Sequence, residues 1–600
     1  MPSPYTQDKR IARFNTPLGK DELALIRFEA KETLSRPFEY RVEAINTAKN
    51  ILKFDDAIGK HCTVTIRTVD GAGERVFDGM LTEARWLDTR REGHIYELVL
   101  RPWLWLLSKR VNSLIFHDKT APQIIAEVFG EHGGLADFEP SLSRSYPVRE
   151  YCAQYRESDM DFVSRLMEEE GIFYFFRHSD GAHKLIMGDS ATACRAVPKG
   201  SRPFVSTEAT DRRKNEHFSL WRPERNFTTG KVLLNDYDFE KPSANMKAEK
   251  EGDATYGHGK LESYLYPGRY VQQSDGEGYA QARLDGLRAE DARVKAEGDV
   301  ASLYPGALVT LTGHPDASQN EQYLVISATH RFTGESYRSG TGDASGYEGD
   351  YELMRSDKPY APPALTPRPF IRGPQTAKVV GDGEIDCDKY GRVLVRFHWD
   401  RKGDKSRRVR VAQVFAGQKW GAIFTPRVGM EALVEFLEGD PDQPIVVGTV
   451  YNADNMPPFD LPGQKNVSGW KSNSTTGGGG YNEFVMDDSS GSELVRFHAQ
   501  KDLDSTIEND EKRLIENDRT TTIHNNDKLD VANEINVTAG TKITLTVGKS
   551  SITIDQMSIK IESPTVEIET DFQFKSKSKI LSQHEASATL IINGTIVKIN

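Results

Sequence analysis

The stretch GDGEIDCDKYG at 381–391 spaces its acidic side chains as a calcium loop does, with Asp386, Asp388 and Gly391 in matching positions. Such a loop also needs an oxygen ligand at its fifth position and a bidentate glutamate at its twelfth, where this chain has Tyr390 and Phe397. The better reading is a strand-connecting turn. His398, in RFHWD beside Trp399, has no carboxylate or nucleophile at a spacing that would serve it, so a packed or surface histidine is expected. GDSAT at 188 and GESYR at 334 approach a nucleophile elbow but lack its final glycine and its strand-to-helix setting. GTGDASGYEGD at 340–350 is glycine-rich without the GxGxxG spacing or a following helix, and reads as a flexible loop. Cys62, Cys152, Cys194 and Cys387 form no CxxC pair, which indicates neither a disulfide framework nor a zinc site. Glu168, Glu169 and Glu170 read as a solvated helix end. There is no HExxH or Walker motif, so no catalytic, cofactor-binding or metal-binding residue is expected.

A chain of 600 residues is too long for one core and calls for several domains. Its formal net charge of -12 opposes nucleic-acid binding, because phosphate recognition needs basic surface. MPSPYTQDKRIARF lacks the apolar core of a Sec signal, and no stretch approaches the eighteen or so apolar residues of a spanning helix. Folding in the cytoplasm is the expectation.

From about 20 to 115 the runs LALIRFEA, FEYRVEAI, CTVTIRTV and IYELVLRPWLWLL read as strands, separated by turns such as VDGAGE. Trp103 and Trp105 alternate with leucines, which suggests one core face and one interface. In KTAPQIIAEVFG, Thr120 can cap a helix with Gln123 reciprocating, and Gly130 closes it. In ESDMDFVSRLMEEEG, Ser158 caps a helix whose Phe162, Val163, Leu166 and Met167 share a face, and Gly171 ends it. A third helix is predicted over 276–296, followed by strands at ALVTL and YLVIS.

KPYAPPALTPRPFIRGPQT at 357–375 is proline-dense and marks a domain boundary. Beyond it TAKVV, RVLVRFHW, RVRVAQVF, GAIFTP, EALVEFL and PIVVGTV predict short strands of a small closed barrel. The resulting division is a head over 1–370, a barrel over 376–452, a polar linker over 453–480 and a terminal β segment over 481–600.

The terminal segment counts in eights. Ile507, Ile515, Ile523, Val531, Ala539 and Val547 recur in phase through sequence such as TIENDEKRLIENDRTTTIHNND. On an α-helix eight residues drift by about 80°, whereas on a strand an even repeat keeps one face. A single chain closing a triangular coil every eight residues would have sides of about 9 Å, less than the roughly 10 Å that opposed sheets need. Three chains contributing one octad each give sides of about 26 Å, with room for three inward stripes. The octads therefore favour a homotrimeric, intertwined β prism filled by these six residues. Ordinary meander strands or a polar tail are the alternative. After 547 the phase loosens.

LSRPFEYRVEA at 34–44, RPWLWLLSKR at 101–110 and YCAQYRESDMDFVSRLMEEEGIFYFF at 151–176 resemble the head of the VgrG family, the valine-glycine repeat spikes of type VI secretion. YGRVLVRFHWD and WGAIFTPRVGMEALVEFLEGDPDQPIVVGTVYN resemble that family's OB-fold, and GGGGYNEFVMDDSSGSELVRFHAQKDL the opening of its needle. The resemblance implies a mainly β chain with few helices, made of tail-hub β-barrels, an OB-fold barrel and a C-terminal triple-stranded intertwined β-helix. It implies a non-enzymatic, homotrimeric cell-puncturing spike that caps the Hcp tube. Its implied partners are a PAAR-repeat tip protein, effectors with adaptor chaperones, and baseplate components, without nucleic acid. Secretion would follow the type VI route, to the exterior or into target cells. Ile596, Val597, Lys598, Ile599 and Asn600 would then meet the tip protein. The eponymous Val-Gly pair occurs in phase at Val547–Gly548. The roughly 30 to 40 residues between Val450 and the needle leave no room for a lysozyme-type domain. Two other readings are a phage tail spike or glycan-binding protein, and a spike with a hydrolase site between subunits.

Overall fold

The computed structural model describes residues 6–47, 50–69, 73–206, 215–334 and 346–599. The chain divides into two compact units, Met1–Asp502 and Leu503–Asn600.

In the first unit the head is organised by a twelve-stranded sheet. Strand Ala24–Thr33 pairs antiparallel on one side with Glu39–Asn46 and on the other with Gln322–Thr333, which joins the two ends of the head sequence. Strands His61–Arg67, Glu74–Arg90 and Gly93–Arg101 continue the sheet as an antiparallel meander. Alternation drives this: Tyr40, Val42 and Ala44 are buried while Arg41 between them is exposed. Pro102, without a backbone N–H to donate, ends the last of these strands. The predicted strand run through WLWLL is instead helical, with α1 at Trp103–Leu106 followed by a short 3-10 turn. Trp103 is buried, and Trp105 is covered by the cations of Arg101 and Lys109 at 4.6 and 4.2 Å.

Helix α2, Ala121–Gly130, starts on a capping box between Thr120 and Gln123. Helix α3, Asp159–Glu170, starts where the Asp161 N–H donates to Ser158 Oγ at 3.0 Å, and ends at Gly171 with φ +68°. Both were legible from their caps. Helix α4 covers Gln273–Arg288, shorter than the predicted 276–296. Beyond it Ala292–Gly298 is a strand, because Val294 and Ala296 alternate inward and pair with Phe218–Arg225 and Gly346–Arg355.

The small barrel has strand order Leu394–Phe397, Gln375–Val380, Glu431–Phe436, Pro444–Val450, Arg410–Val411. A bridge between Val393 and Val409 closes it. GAIFTP forms no strand of the barrel; it is one arm of a hairpin held by an Ala416–Gly421 bridge. Within 453–480, read above as linker, Val467–Lys471 pairs with Glu483–Asp487, which pairs with Leu494–His498. The polar composition concealed a strand whose residues face solvent on both sides.

In the second unit a three-stranded antiparallel sheet is formed by Lys542–Val547, Ser550–Asp555 and Ile559–Glu562. Its first turn is made at Gly548, with φ +55°.

Candidate functional site

Head and barrel share one core. Ile115, Tyr151, Ala153 and Tyr155, from the paired head strands Val111–Thr120 and Val148–Ser158, pack with Ala377, Val395, Phe397, Ala432 and Val434 of the barrel. Tyr155 meets Trp399 edge to face at 5.2 Å, and its hydroxyl accepts from Gln375 at 2.9 Å.

Around this core lies an ionic joint. Helix α3 contributes Arg165 and all three of Glu168, Glu169 and Glu170. The reading of these glutamates as a solvated helix end is therefore corrected: Glu168 and Glu170 are buried at their carboxylates and Glu169 is mostly so. Arg149, from the strand preceding α3, bridges Glu169 at 3.0 Å and Glu170 at 2.6 Å. Arg165 grips Glu157 through two bonds of 2.8 Å and also donates to the Ala153 carbonyl. Glu168 accepts from the backbone N–H groups of Leu365 and Thr366 at 3.0 and 2.8 Å, so the proline-rich boundary segment is a strap fastened to α3. Arg368 on that strap donates to Glu169 at 2.8 Å and to barrel Asp440 at 3.1 Å. Asp440 also meets Arg269 at 2.8 Å, and Asp442 accepts the Ala153 N–H at 2.7 Å.

The electrostatics follow from these distances. Burial opposes ionisation of Glu169, but the guanidinium groups of Arg368, Arg149 and Arg165 outweigh it and hold the carboxyl well below the usual range. Asp442 is pushed up to about 6, by burial and then by the neighbouring Asp440 charge. Burial likewise raises Glu157 and Glu170 despite their arginines. What this arrangement can do is mechanical: paired buried charges resist separation, since parting them strands a charge in a low-dielectric setting. Sequence reasoning missed Arg149, Arg165, Arg368, Asp440 and Asp442. One signal was available: Arg165 lies three residues from Phe162 on the buried side of an amphipathic helix, a place that demands a partner.

Inside the head, Asp78 binds His61 Nδ1 at 2.7 Å, His183 Nδ1 at 2.8 Å and the Thr63 hydroxyl at 2.8 Å. Among the described residues, His61, Asp78 and His183 form the one group close enough to share a metal ion. The backbone N–H of Trp103, however, donates to His183 Nε2 at 2.8 Å. That bond places the His183 proton on Nδ1, where it is donated to Asp78, so Nδ1 has no lone pair for a metal. The trio is a hydrogen-bonded structural knot. Burial disfavours ionisation of Asp78, yet its histidine bonds bring it down to about 2; burial lowers His183 to about 4.

The other sequence-flagged groups are structural. Asp386 pairs with Arg408 and Asp388 with Arg392, both at 2.6 Å, in a turn. His398 is exposed. Ser190 of GDSAT bonds Ser143 and Thr192 hydroxyls, while its neighbour Asp189 accepts from Ser143, Arg144 and Tyr146. Residues 335–345, with most of GESYR and the start of the glycine-rich loop, lie outside the described residues, as does Asn600. Cys62, Cys152 and Cys194 are buried and Cys387 is exposed.

In the second unit Ile507, Ile515, Ile523 and Val531 are 51, 47, 47 and 43% exposed, whereas the out-of-phase Leu514 and Leu529 are 80 and 74% exposed. Four of the six octad members are thus about half covered in the single chain. Ala539 is exposed, and Val547 ends a strand at the Gly548 turn with its side chain in solvent. Ile596, Val597, Lys598 and Ile599 are exposed.

Comparison with known proteins agrees along the chain. Residues 31–336 match the phage tail baseplate hub (GPD) family, and residues 375–451 the type VI secretion system/phage-baseplate injector OB domain. Residues 468–572 match the bacteriophage T4 gp5 C-terminal trimerisation domain. The type VI secretion system spike protein VgrG1b of Pseudomonas aeruginosa is 40% identical over 84% of this chain and 69% of its own length. VgrG1a of the same organism is 39% identical over 84% of this chain and 79% of its own. In fold, the chain resembles the E. coli c3393 protein, a component of the type VI secretion system with structural similarity to T4 tail proteins gp27 and gp5. The TM-score is 0.52 at 21% identity, over 73% of this chain and all of that one. The relatives are structural spike proteins, which favours a non-enzymatic role, and the trimerisation-domain match supports a homotrimer. Among the described residues no helix is long and apolar enough to cross a membrane. With relatives this similar over most of its length, the chain belongs to the VgrG family of type VI secretion system spike proteins.

Proposed function

We propose that three copies wind their 481–600 segments into a β prism filled by Ile507, Ile515, Ile523, Val531, Ala539 and Val547, and that this prism is the puncturing needle of a type VI spike. The observation that carries the reading is the in-phase aliphatic octad, its first four members half-covered in one chain, inside a segment matching a trimerisation domain. Burying the exposed part of each side chain against two other copies stabilises the assembly at about 25 cal/mol per Å² of apolar surface. Strand pairing around the trimer also removes exposed edges, which gives rigidity.

The head, in this reading, caps the Hcp tube and meets the baseplate, and the ionic joint transmits the push of contraction to the barrel. Ile596, Val597, Lys598, Ile599 and Asn600 contact a PAAR-repeat tip protein, and effectors ride directly or through adaptor chaperones. The particle assembles in the cytoplasm and leaves by the apparatus itself. The test is co-sedimentation of the purified full-length protein with Hcp hexamers and with a PAAR-repeat protein. Stable complexes are expected; binding to surface polysaccharide with no Hcp complex would favour the phage-spike reading instead.

A further inference from the structure

Between the end of helix α3, helix α4 and the start of the strap lies a cleft of about 350 Å³. Close packing builds its walls. A Cβ on Gly171 would meet that of Ala282 at 2.8 Å, so α3 and α4 touch here. A Cβ on Gly286 would meet the Pro362 carbonyl oxygen at 3.2 Å, which sets the strap against α4. The floor is apolar: Phe173, Leu324 and Cys194 are buried, and the ring of Tyr360 meets Phe173 edge to face at 5.7 Å. Ala191, Asp357 and Lys358 line the cleft from exposed positions and form its rim.

Most of the charges on this lining are satisfied within the chain. Arg144 donates to the Glu170 carbonyl at 2.7 Å and lies 3.6 Å from Asp189. Lys358 pairs with Asp253 at 2.8 Å, and Asp357 with Arg355 at 3.2 Å. Asp285 differs. It lies three residues beyond Ala282, on the same face of α4, and lines the cleft with it. Its carboxylate accepts from the Gln281 amide at 2.8 Å, but among the described residues it has no ion-pair partner. Burial pushes this carboxyl up, and the Gln281 bond and the Arg144 charge offset only part of that rise. A partly buried carboxylate beside an aromatic floor is complementary to a cation carried on an apolar stem. Arginine answers this better than lysine, because a planar, weakly hydrated guanidinium can bond a carboxylate while lying against a ring.

We propose that this cleft receives an arginine side chain of a partner protein, with Asp285 as its counter-ion and the rings of Tyr360 and Phe173 as its bed. The volume takes one long side chain and no folded element, so the cleft anchors an extended loop or terminus of that partner. An arginine held in a desolvated pocket is the kind of residue that carries a large share of an interface's affinity.

The test titrates the full-length protein with acetyl-Gly-Arg-Gly-amide and with two analogues, one carrying lysine and one carrying citrulline, whose uncharged ureido group has the shape of a guanidinium. Binding is read by saturation-transfer NMR. The arginine peptide is expected to bind about tenfold more tightly than either analogue, the difference a charge-assisted, planar contact makes. Asp285→Asn keeps the acceptor for Gln281 and removes the charge; it should bring the arginine peptide down to the affinity of the citrulline one without lowering the urea unfolding midpoint. Ala191→Trp, made at an exposed rim position, should close the cleft to all three peptides. Equal binding of the arginine and citrulline peptides, arginine binding that survives either substitution, or no arginine binding at millimolar concentration overturns the proposal.

Discussion

Arg368 and Glu169 are 199 positions apart in the chain and 2.7 Å apart in space. The same guanidinium reaches Asp440 in the barrel, so one side chain ties the strap, helix α3 and the barrel together. Replacing it with a neutral residue of similar length leaves Glu169 and Asp440 deprived of a cation they were built around. Arg368→Met is therefore expected to destabilise the protein by about 3 kcal/mol, read as a lowered midpoint in urea unfolding. A midpoint within experimental error of the parent would show that the joint carries no load.

Asp442 gives the joint a pH signature. Its carboxyl titrates at about 6 in the folded chain against about 3.9 when unfolded, so the folded state holds its proton more tightly. Its contribution is most favourable below about pH 4 and is lost as pH rises through 6, amounting to about 3 kcal/mol of destabilisation at neutral pH. Asp442→Asn keeps the acceptor for the Ala153 N–H and removes the charge. It is expected to raise stability at pH 7.5, with the gain fading below about pH 4. Asp78 works in the opposite sense: held at about 2, its contribution is present above about pH 4 and is lost as pH falls through 2. A gain for Asp442→Asn that is the same at every pH would contradict this assignment.

The His61–Asp78–His183 knot is expected to be indifferent to metal. Thermal unfolding midpoints should coincide in chelator and in micromolar zinc. A zinc-dependent rise that disappears in His183→Gln would show that the Trp103 N–H bond yields to a metal.

The octad residues are expected to be all-or-none for assembly. Ile515→Asp combined with Ile523→Asp places carboxylates inside the prism without partners, and the full-length chain should run as a monomer in size-exclusion chromatography with light scattering. The unit Met1–Asp502 should keep its unfolding midpoint, since it is compact by itself. Retention of the assembled form would remove these residues from the core.

Local rules made much of this protein legible. The caps at Thr120, Ser158 and Gly171 announced α2 and the two ends of α3, because capping is settled within a few residues. The barrel strands were readable from their apolar runs. The joint was not, because Glu168–Glu170 become a buried cluster only when Arg149 arrives from a neighbouring strand and Arg368 from a strap that the sequence presents as a mere boundary. GAIFTP misled in the converse way: its apolar run is that of a buried strand, but Ile423 and Phe424 face outward on a hairpin. Composition also hid strand Val467–Lys471, which pairs with Glu483–Asp487 through backbone bonds and a stacked Trp470–Phe484 contact outside any buried core.

A rigid needle requires three copies acting as one. Native mass spectrometry of the purified full-length protein measures this directly: a particle of about 202 kDa, three times the 67.3 kDa chain, is expected. A particle at the mass of one chain, at micromolar concentration and physiological salt, would contradict the account.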